Sequence, residues 1–114
     1  MSARFTLEQA AWSAGAQVVV PGGPFAGVFT DTRAPVPGAL FVALRGEKFD
    51  ASEFAAQAVQ GGAAGVLVPE GAVEKVRAQA GPAAILAAAD TGRALGGLAA
   101  AWRRRLPALK LVAV

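Results

Sequence analysis

The feature that most restricts the fold of this chain is an uninterrupted apolar run at residues 40–44, LFVAL, between Gly38 and Gly46. Side chains alternate between the two faces of a β-strand, so a strand that is apolar at every position must be covered on both faces. Such strands are typical of sheets with helices packed on both sides. The run therefore predicts an α/β arrangement in which this segment is a central strand.

Helix-like and strand-like segments alternate along the rest of the chain. Thr6-Leu7-Glu8-Gln9 has the form of a capping box, with Phe5 placed to pack back onto the first turn of a helix over residues 7–14. We expect strands at 18–20, 28–30, 40–44, 65–68 and 83–88, and further helices from the Asp50 cap to Gly61, at 73–80 and at 91–106. This order predicts a single three-layer-like α/β domain with a mainly parallel or mixed sheet flanked by helices.

The only basic cluster is formed by Arg103, Arg104 and Arg105. These residues fall in the last turn of the helix that begins at an Asp90 or Thr91 cap, where cations complement the negative end of the helix dipole. No second basic cluster or aromatic stripe accompanies them, and the net charge of +3 is modest. We therefore expect neither nucleic acid nor a membrane surface as a partner.

The composition restricts the chemistry. The chain has no histidine and no cysteine, which removes the usual proton shuttle, the thiol nucleophile and the commonest zinc ligands. We therefore expect no catalytic residue and no metal ligand here, and a domain that binds a ligand without transforming it. The longest apolar run, residues 83–89, is too short to cross a bilayer, and the first residues lack the pattern of a secretory signal. A cytoplasmic protein is expected.

Two polar clusters follow predicted strands: residues 30–33, TDTR, and residues 45–50, RGEKFD. Loops at strand ends are where α/β folds bind ligands. Taken one at a time, these residues are equally typical of turn caps and solvated charges, and Asp50 of a helix cap. Residues 109–114 read as one more strand, which is either a natural edge strand or the first strand of a second domain.

Taken together, the two clusters resemble a known family. Residues 30–54 read TDTRAPVPGALFVALRGEKFDASEF and resemble the N-terminal domain of the Mur ligases, with their [ST]-x-[ST]-R turn, G-x-LFVA-x-x-G strand and D-[AG] helix start. The similarity continues through AxQAVxxGAxGVLV at residues 55–68 and DTxxALGxLAAxWRR at residues 90–104. It therefore covers nearly the whole chain.

The resemblance implies a function and its partners. The motif GEKFDA is similar to the corresponding motif of the family members that join D-alanyl-D-alanine to UDP-N-acetylmuramoyl-tripeptide with ATP and Mg²⁺. In the family, a phosphate-binding loop follows a strand like residues 109–114, so we expect residues 1–107 to recognise the UDP substrate and residues 108–114 to lead into a central ATP-binding domain. The chain alone is then expected to be an inactive monomer that binds no ATP.

The resemblance also implies a binding site for the UDP moiety. Thr30 and Thr32 fall where the family's turn meets the uridine and the diphosphate, with Asp31 bracing the turn and Arg33 beside it. In the second loop, Gly46 permits close approach of the backbone. Glu47, Lys48 and Phe49 then face the nucleotide, Phe49 suited to the uracil and Lys48 to a phosphate.

Two alternatives remain from the sequence. The first is the family member that adds the third amino acid of the peptide, which shares the fold and the uridine site. The second is a free-standing module that binds uridine nucleotides or another protein, with residues 109–114 as a natural edge strand. The residues that follow Val114 distinguish a ligase from a free-standing module, because only the ligase continues into a phosphate-binding loop.

Overall fold

The computed structural model describes residues 6–30, 36–43, 51–79 and 83–105. The predicted alternation of helices and strands is confirmed. In chain order the elements are α1 Leu7–Ala14, β1 Gln17–Val20, β2 Val28–Phe29, β3 Leu40–Val42, α2 Ala51–Gln60, β4 Gly65–Pro69, α3 Val73–Gln79, β5 Ala84–Ala88 and α4 Thr91–Arg105, with one turn of 3-10 helix, Glu70–Ala72, before α3.

The five strands form one mixed sheet in the order β1-β5-β4-β3-β2. Strands β2 to β5 are parallel to their neighbours, and β1 is antiparallel to β5 at one edge. The LFVAL run supplies β3, an interior strand between β2 and β4 whose three residues are all buried. The prediction of an interior strand covered on both faces is therefore confirmed.

Helices cover both faces of the sheet, which gives three layers. Helices α1 and α4 pack on one face through Leu7, Ala10, Ala94 and Leu98. The other face is covered by α2 and α3, with Ala55, Ala58 and Val76 fully buried. The strand residues divide between the two faces by the expected alternation: Val28, Leu40, Val42, Leu67 and Leu86 face α1 and α4, whereas Phe29, Phe41, Val66, Val68 and Ile85 face α2 and α3.

The ends of α1 and the start of α4 are capped by their own sequence. Gln9 N–H donates to Thr6 Oγ1 at 3.1 Å and Thr6 N–H donates to Gln9 Oε1 at 2.9 Å, which confirms the capping box. Gly15 ends α1 with φ of 63°, a left-handed conformation that glycine adopts without strain. At α4, Arg93 N–H donates to Asp90 Oδ1 at 3.1 Å, so Asp90 is the cap. The predicted packing of Phe5 lies outside the described residues.

Helices α1 and α4 touch through their backbones. A Cβ atom built on Gly97 of α4 would overlap the carbonyl oxygen of Ser13 in α1. The neighbouring Gly96 has nothing within 4 Å of the same position. Gly97 is therefore the residue that lets the two helices approach this closely.

The element boundaries differ slightly from the predicted ones. Strand β2 ends at Phe29, which leaves Thr30 just beyond it, and β3 ends at Val42. The predicted strand at 109–114 lies outside the described residues. Within the described ranges, no helix is long and apolar enough to cross a bilayer.

Candidate functional site

The two predicted binding segments leave the sheet from neighbouring strands. Strands β2 and β3 are parallel, with Val28 paired to Leu40 and Phe29 paired to Phe41. Parallel neighbours about 4.8 Å apart have their carboxyl ends at the same edge of the sheet. The segment after β2 and the segment after β3 therefore start side by side, at the edge where α/β folds bind ligands.

An aromatic pair lies at the carboxyl ends of β2 and β3, where the two predicted binding segments begin. The rings of Phe29 and Phe41 are 5.3 Å apart between centroids and tilted by 53°. Both side chains are buried, on the face covered by α2 and α3. Because Phe29 is the last residue of β2 and Phe41 the second-last residue of β3, the pair packs the two strands together at their carboxyl ends.

The second segment is anchored at both of its ends. Ala43 N–H donates to the carbonyl oxygen of Leu67 at 2.9 Å, so the chain is still bonded to β4 one residue after β3. At the other end, α2 begins at Ala51 and buries Ala55 against the sheet. Residues 44–50 therefore connect two points that the core fixes in place.

Of the predicted binding residues, Thr30 lies within the described part of the structure. It is partly buried and follows β2 directly. This position confirms the expectation that Thr30 stands at a strand exit, while its contact with a ligand stays a prediction. The other predicted residues lie outside the described residues: Asp31, Thr32, Arg33, Gly46, Glu47, Lys48 and Phe49.

The same edge carries a buried hydroxyl that the sequence analysis did not single out. Thr91, in the first turn of α4 after β5, is 2% exposed, and its Oγ1 has no hydrogen-bond partner in the structure. The sequence presents Thr91 and Asp90 as equivalent caps; the hydrogen bond from Arg93 N–H to Asp90 Oδ1 and the burial of Thr91 separate them. Within the described residues, no three acidic side chains come together as metal ligands.

Comparison with known proteins assigns the fold to a family. Residues 24–103 match the model described as "Mur ligase family, catalytic domain". The chain belongs to the Mur ligase family. The matched residues begin before β2 and run almost to the end of α4, so they include both segments of the candidate site.

The chain is similar in sequence to characterised Mur ligases. The chain is 47% identical over 85 residues to the UDP-N-acetylmuramoyl-tripeptide--D-alanyl-D-alanine ligase of Escherichia coli. The aligned region covers 71% of this chain and 16% of that protein. It is 39% identical over 84 residues to the UDP-N-acetylmuramoyl-L-alanyl-D-glutamate--2,6-diaminopimelate ligase of Caulobacter vibrioides, covering 74% of this chain and 16% of that protein. The chain thus spans about a sixth of the length of these Mur ligases.

Solved structures of Mur ligases give the same result for the fold. MurF from Acinetobacter baumannii superimposes with a TM-score of 0.67 and 32% sequence identity, over 92% of this chain and 22% of that one. The mixed five-stranded sheet with helices on both faces is the fold of the MurF N-terminal domain. The expected Mur ligase N-terminal fold is confirmed.

Proposed function

We propose that this chain recognises the UDP end of UDP-N-acetylmuramoyl-tripeptide within an ATP-dependent ligase that adds D-alanyl-D-alanine. The observation that carries the proposal is the parallel pairing of β2 with β3, because it starts the TDTR and RGEKFD segments side by side. The identity to the Escherichia coli ligase, 47% over 85 residues, supports the choice of substrate.

The residue types of the two segments suit a nucleoside diphosphate. In the proposed site, the hydroxyls of Thr30 and Thr32 and nearby backbone N–H groups donate to the diphosphate, and Asp31 braces the turn that presents them. Lys48 adds a positive charge near a phosphate, while Phe49 packs against the uracil ring. Binding energy gained at this remote end orients the reacting carboxylate of a long substrate, and orientation is a large part of catalysis.

This chain's own residues do not fit ATP and Mg²⁺. The sequence contains no glycine-rich loop ending in Lys and Ser or Thr, which is the arrangement that cradles nucleotide phosphates. We therefore propose that ATP, Mg²⁺ and D-alanyl-D-alanine bind to other parts of a full-length ligase. In this proposal residues 1–107 are the recognition domain, residues 108–114 lead into the ATP-binding domain, and the protein is a cytoplasmic monomer.

A second candidate is the ligase that adds the third amino acid of the peptide. It is favoured by the similarity to diaminopimelate ligases, 39% over 84 residues for the Caulobacter vibrioides protein and 51% over 47 residues for that of Gloeobacter violaceus. Assays of the full-length protein separate the two candidates. Ligation of D-alanyl-D-alanine to the tripeptide substrate supports the proposal, whereas ligation of a diamino acid to the dipeptide substrate supports the alternative.

Nuclear magnetic resonance tests the location of the proposed site. Addition of UDP to the ¹⁵N-labelled chain is expected to shift the amide signals of Thr30, which begins the TDTR segment, and of Ala43, which lies just before the RGEKFD segment. The amides of Lys75 and Arg77 serve as the control, because they belong to α3, which packs against α2 and β5. Shifts confined to α3, or equal shifts with inorganic phosphate, would contradict the proposed site.

A further inference from the structure

The edge of the sheet that carries the proposed UDP site is stepped. Phe29 of β2, Phe41 of β3 and Val66 of β4 lie in one row of paired residues. Strand β2 ends at this row, whereas β4 continues to Pro69. At about 3.3 Å per residue, the end of β4 extends about 10 Å beyond the end of β2. Because β4 borders β3, its end projects beside the start of the second binding segment.

Glu70 stands at the tip of this projecting strand. It follows Pro69 directly, begins the 3-10 turn before α3, and is exposed. The register pairs Val42 with Leu67, and Ala43 N–H still donates to the carbonyl oxygen of Leu67. Glu70 is three residues beyond Leu67, and the RGEKFD segment begins three residues beyond Val42. The segment and the acidic residue therefore begin at matching positions of neighbouring strands.

The helices lead to the same placement. Helices α2 and α3 pack against each other on one face of the sheet. Each helix follows a parallel strand, so both helices begin at the carboxyl edge of the sheet. Glu70 leads into α3, and the RGEKFD segment leads into α2. Glu70 therefore lies at the edge, and on the face, where α2 begins.

The charge of Glu70 decides which part of a uridine diphosphate it can bind. A carboxylate repels the diphosphate, and it repels the two carbonyl oxygens that flank the N–H group of uracil. The ribose instead presents two neighbouring O–H donors, which the two oxygens of one carboxylate can accept together. In dinucleotide-binding α/β sheets, an acidic side chain accepts a hydrogen bond from a ribose hydroxyl in this way. The ribose is therefore the part of the ligand that suits Glu70.

We propose that Glu70 accepts hydrogen bonds from the ribose hydroxyls of the uridine diphosphate, and so makes the site select ribose over deoxyribose. The proposal rests on the proposed function, because it adds a contact to the same UDP site. Thr30 and Glu70 follow strands on opposite sides of β3. The diphosphate at Thr30 and the ribose at Glu70 then lie on opposite sides of that strand.

Calorimetric titration of the 114-residue chain with UDP and with 2′-deoxyuridine 5′-diphosphate tests the proposal. The unaltered chain is expected to bind UDP roughly tenfold more tightly than the deoxy ligand, the effect of one hydrogen bond to a charged group. Glu70→Ala is expected to abolish this preference, so that the two ligands bind alike. Glu70→Gln keeps an oxygen acceptor but removes the charge, and is expected to retain part of the preference.

Glu74→Ala is the matched control. Glu74 is also acidic and exposed, and it lies four residues further along the chain in α3. Both alanine variants remove one negative charge, so they share any general effect of charge on the binding of an anion. The tenfold preference for UDP is expected to remain in Glu74→Ala.

The two ligands also separate the ways in which the proposal can fail. Equal affinity of the unaltered chain for both ligands would mean that no residue recognises the 2′-hydroxyl, although the UDP site itself would stand. Equal weakening of both ligands by Glu70→Ala, with the preference kept, would make Glu70 a residue that positions the RGEKFD segment, and would overturn the ribose contact. Failure of the unaltered chain to bind either ligand would contradict the proposed function, and the ribose contact would fall with it.

Discussion

The rings of Phe29, the last residue of β2, and Phe41, the second-last residue of β3, pack 5.3 Å apart at a tilt of 53°. Tilted aromatic pairs at this distance contribute about 0.5–1.5 kcal/mol beyond the area that they bury. The pair therefore couples the two strands whose exits carry the proposed binding segments. Its effect on stability is separable from that of burial alone.

A double-mutant cycle measures this coupling. Phe29→Leu and Phe41→Leu each keep an apolar side chain in the core but remove one ring. The double variant is expected to lose about 0.5–1.5 kcal/mol less unfolding free energy than the sum of the single variants. Urea denaturation supplies the four free energies. A sum that is additive within about 0.3 kcal/mol would mean that the rings do not interact.

The contact between α1 and α4 predicts opposite effects at adjacent glycines. Gly97→Ala adds a methyl group against the carbonyl oxygen of Ser13, and is expected to lower the unfolding free energy by about 1–3 kcal/mol. Gly96→Ala is the matched control, because its added Cβ has open space and alanine favours the helix by about 1 kcal/mol. Thermal denaturation of both variants checks the signs. Stabilisation by both would show that the helices do not touch at Gly97.

The buried hydroxyl of Thr91 is predicted to destabilise the domain. Thr91→Val keeps the shape of the side chain and removes an oxygen that has no hydrogen-bond partner in the structure, so the unfolding free energy is expected to rise by about 1 kcal/mol. Thr91→Ser keeps the oxygen and removes the methyl group, and is therefore expected to lower the unfolding free energy. Destabilisation by the valine variant in urea titrations would mean that the hydroxyl has a partner in solution.

Local patterns were sufficient to predict most of the elements. Leu40 to Val42 are apolar at every position, and the structure buries them between helices on both faces. Thr6 and Gln9 form the capping box that their spacing indicates. These features depend on residues close together in the chain, which is why periodicity and capping reveal them.

The strand pairings could not be predicted in this way. The antiparallel pairing of β1 with β5 joins Val18 to Leu86. These two residues are nearly seventy positions apart in the sequence, so no local pattern encodes their pairing. The same holds for the pairing of Phe29 with Phe41, which depends on the register between two strands. For the candidate site, the sequence indicated that Thr30 follows a strand. The roles of Asp31 to Arg33 and of Gly46 to Phe49 depend on the family resemblance and stay predictions.

The hydroxyl-rich turn after β2 predicts a selective effect on substrate binding. In the full-length enzyme, Thr32→Ala is expected to raise the Michaelis constant for the UDP substrate by about tenfold, the loss of one hydrogen bond to a charged group. The Michaelis constant for ATP is expected to stay nearly unchanged, because the proposed ATP site lies elsewhere. Steady-state kinetics with each substrate varied in turn provides the measurement. Equal losses for both substrates would indicate a structural role for Thr32.

Recognition of the UDP substrate by this chain is most directly tested by calorimetric titration of the 114-residue protein with UDP-N-acetylmuramoyl-tripeptide, UDP and ATP. The tripeptide substrate is expected to bind, and UDP is expected to compete with it because both occupy the edge beyond β2 and β3. ATP is expected to produce no binding heat, since the sequence has no phosphate-binding loop. Binding of ATP without binding of either uridine nucleotide would contradict the proposed function.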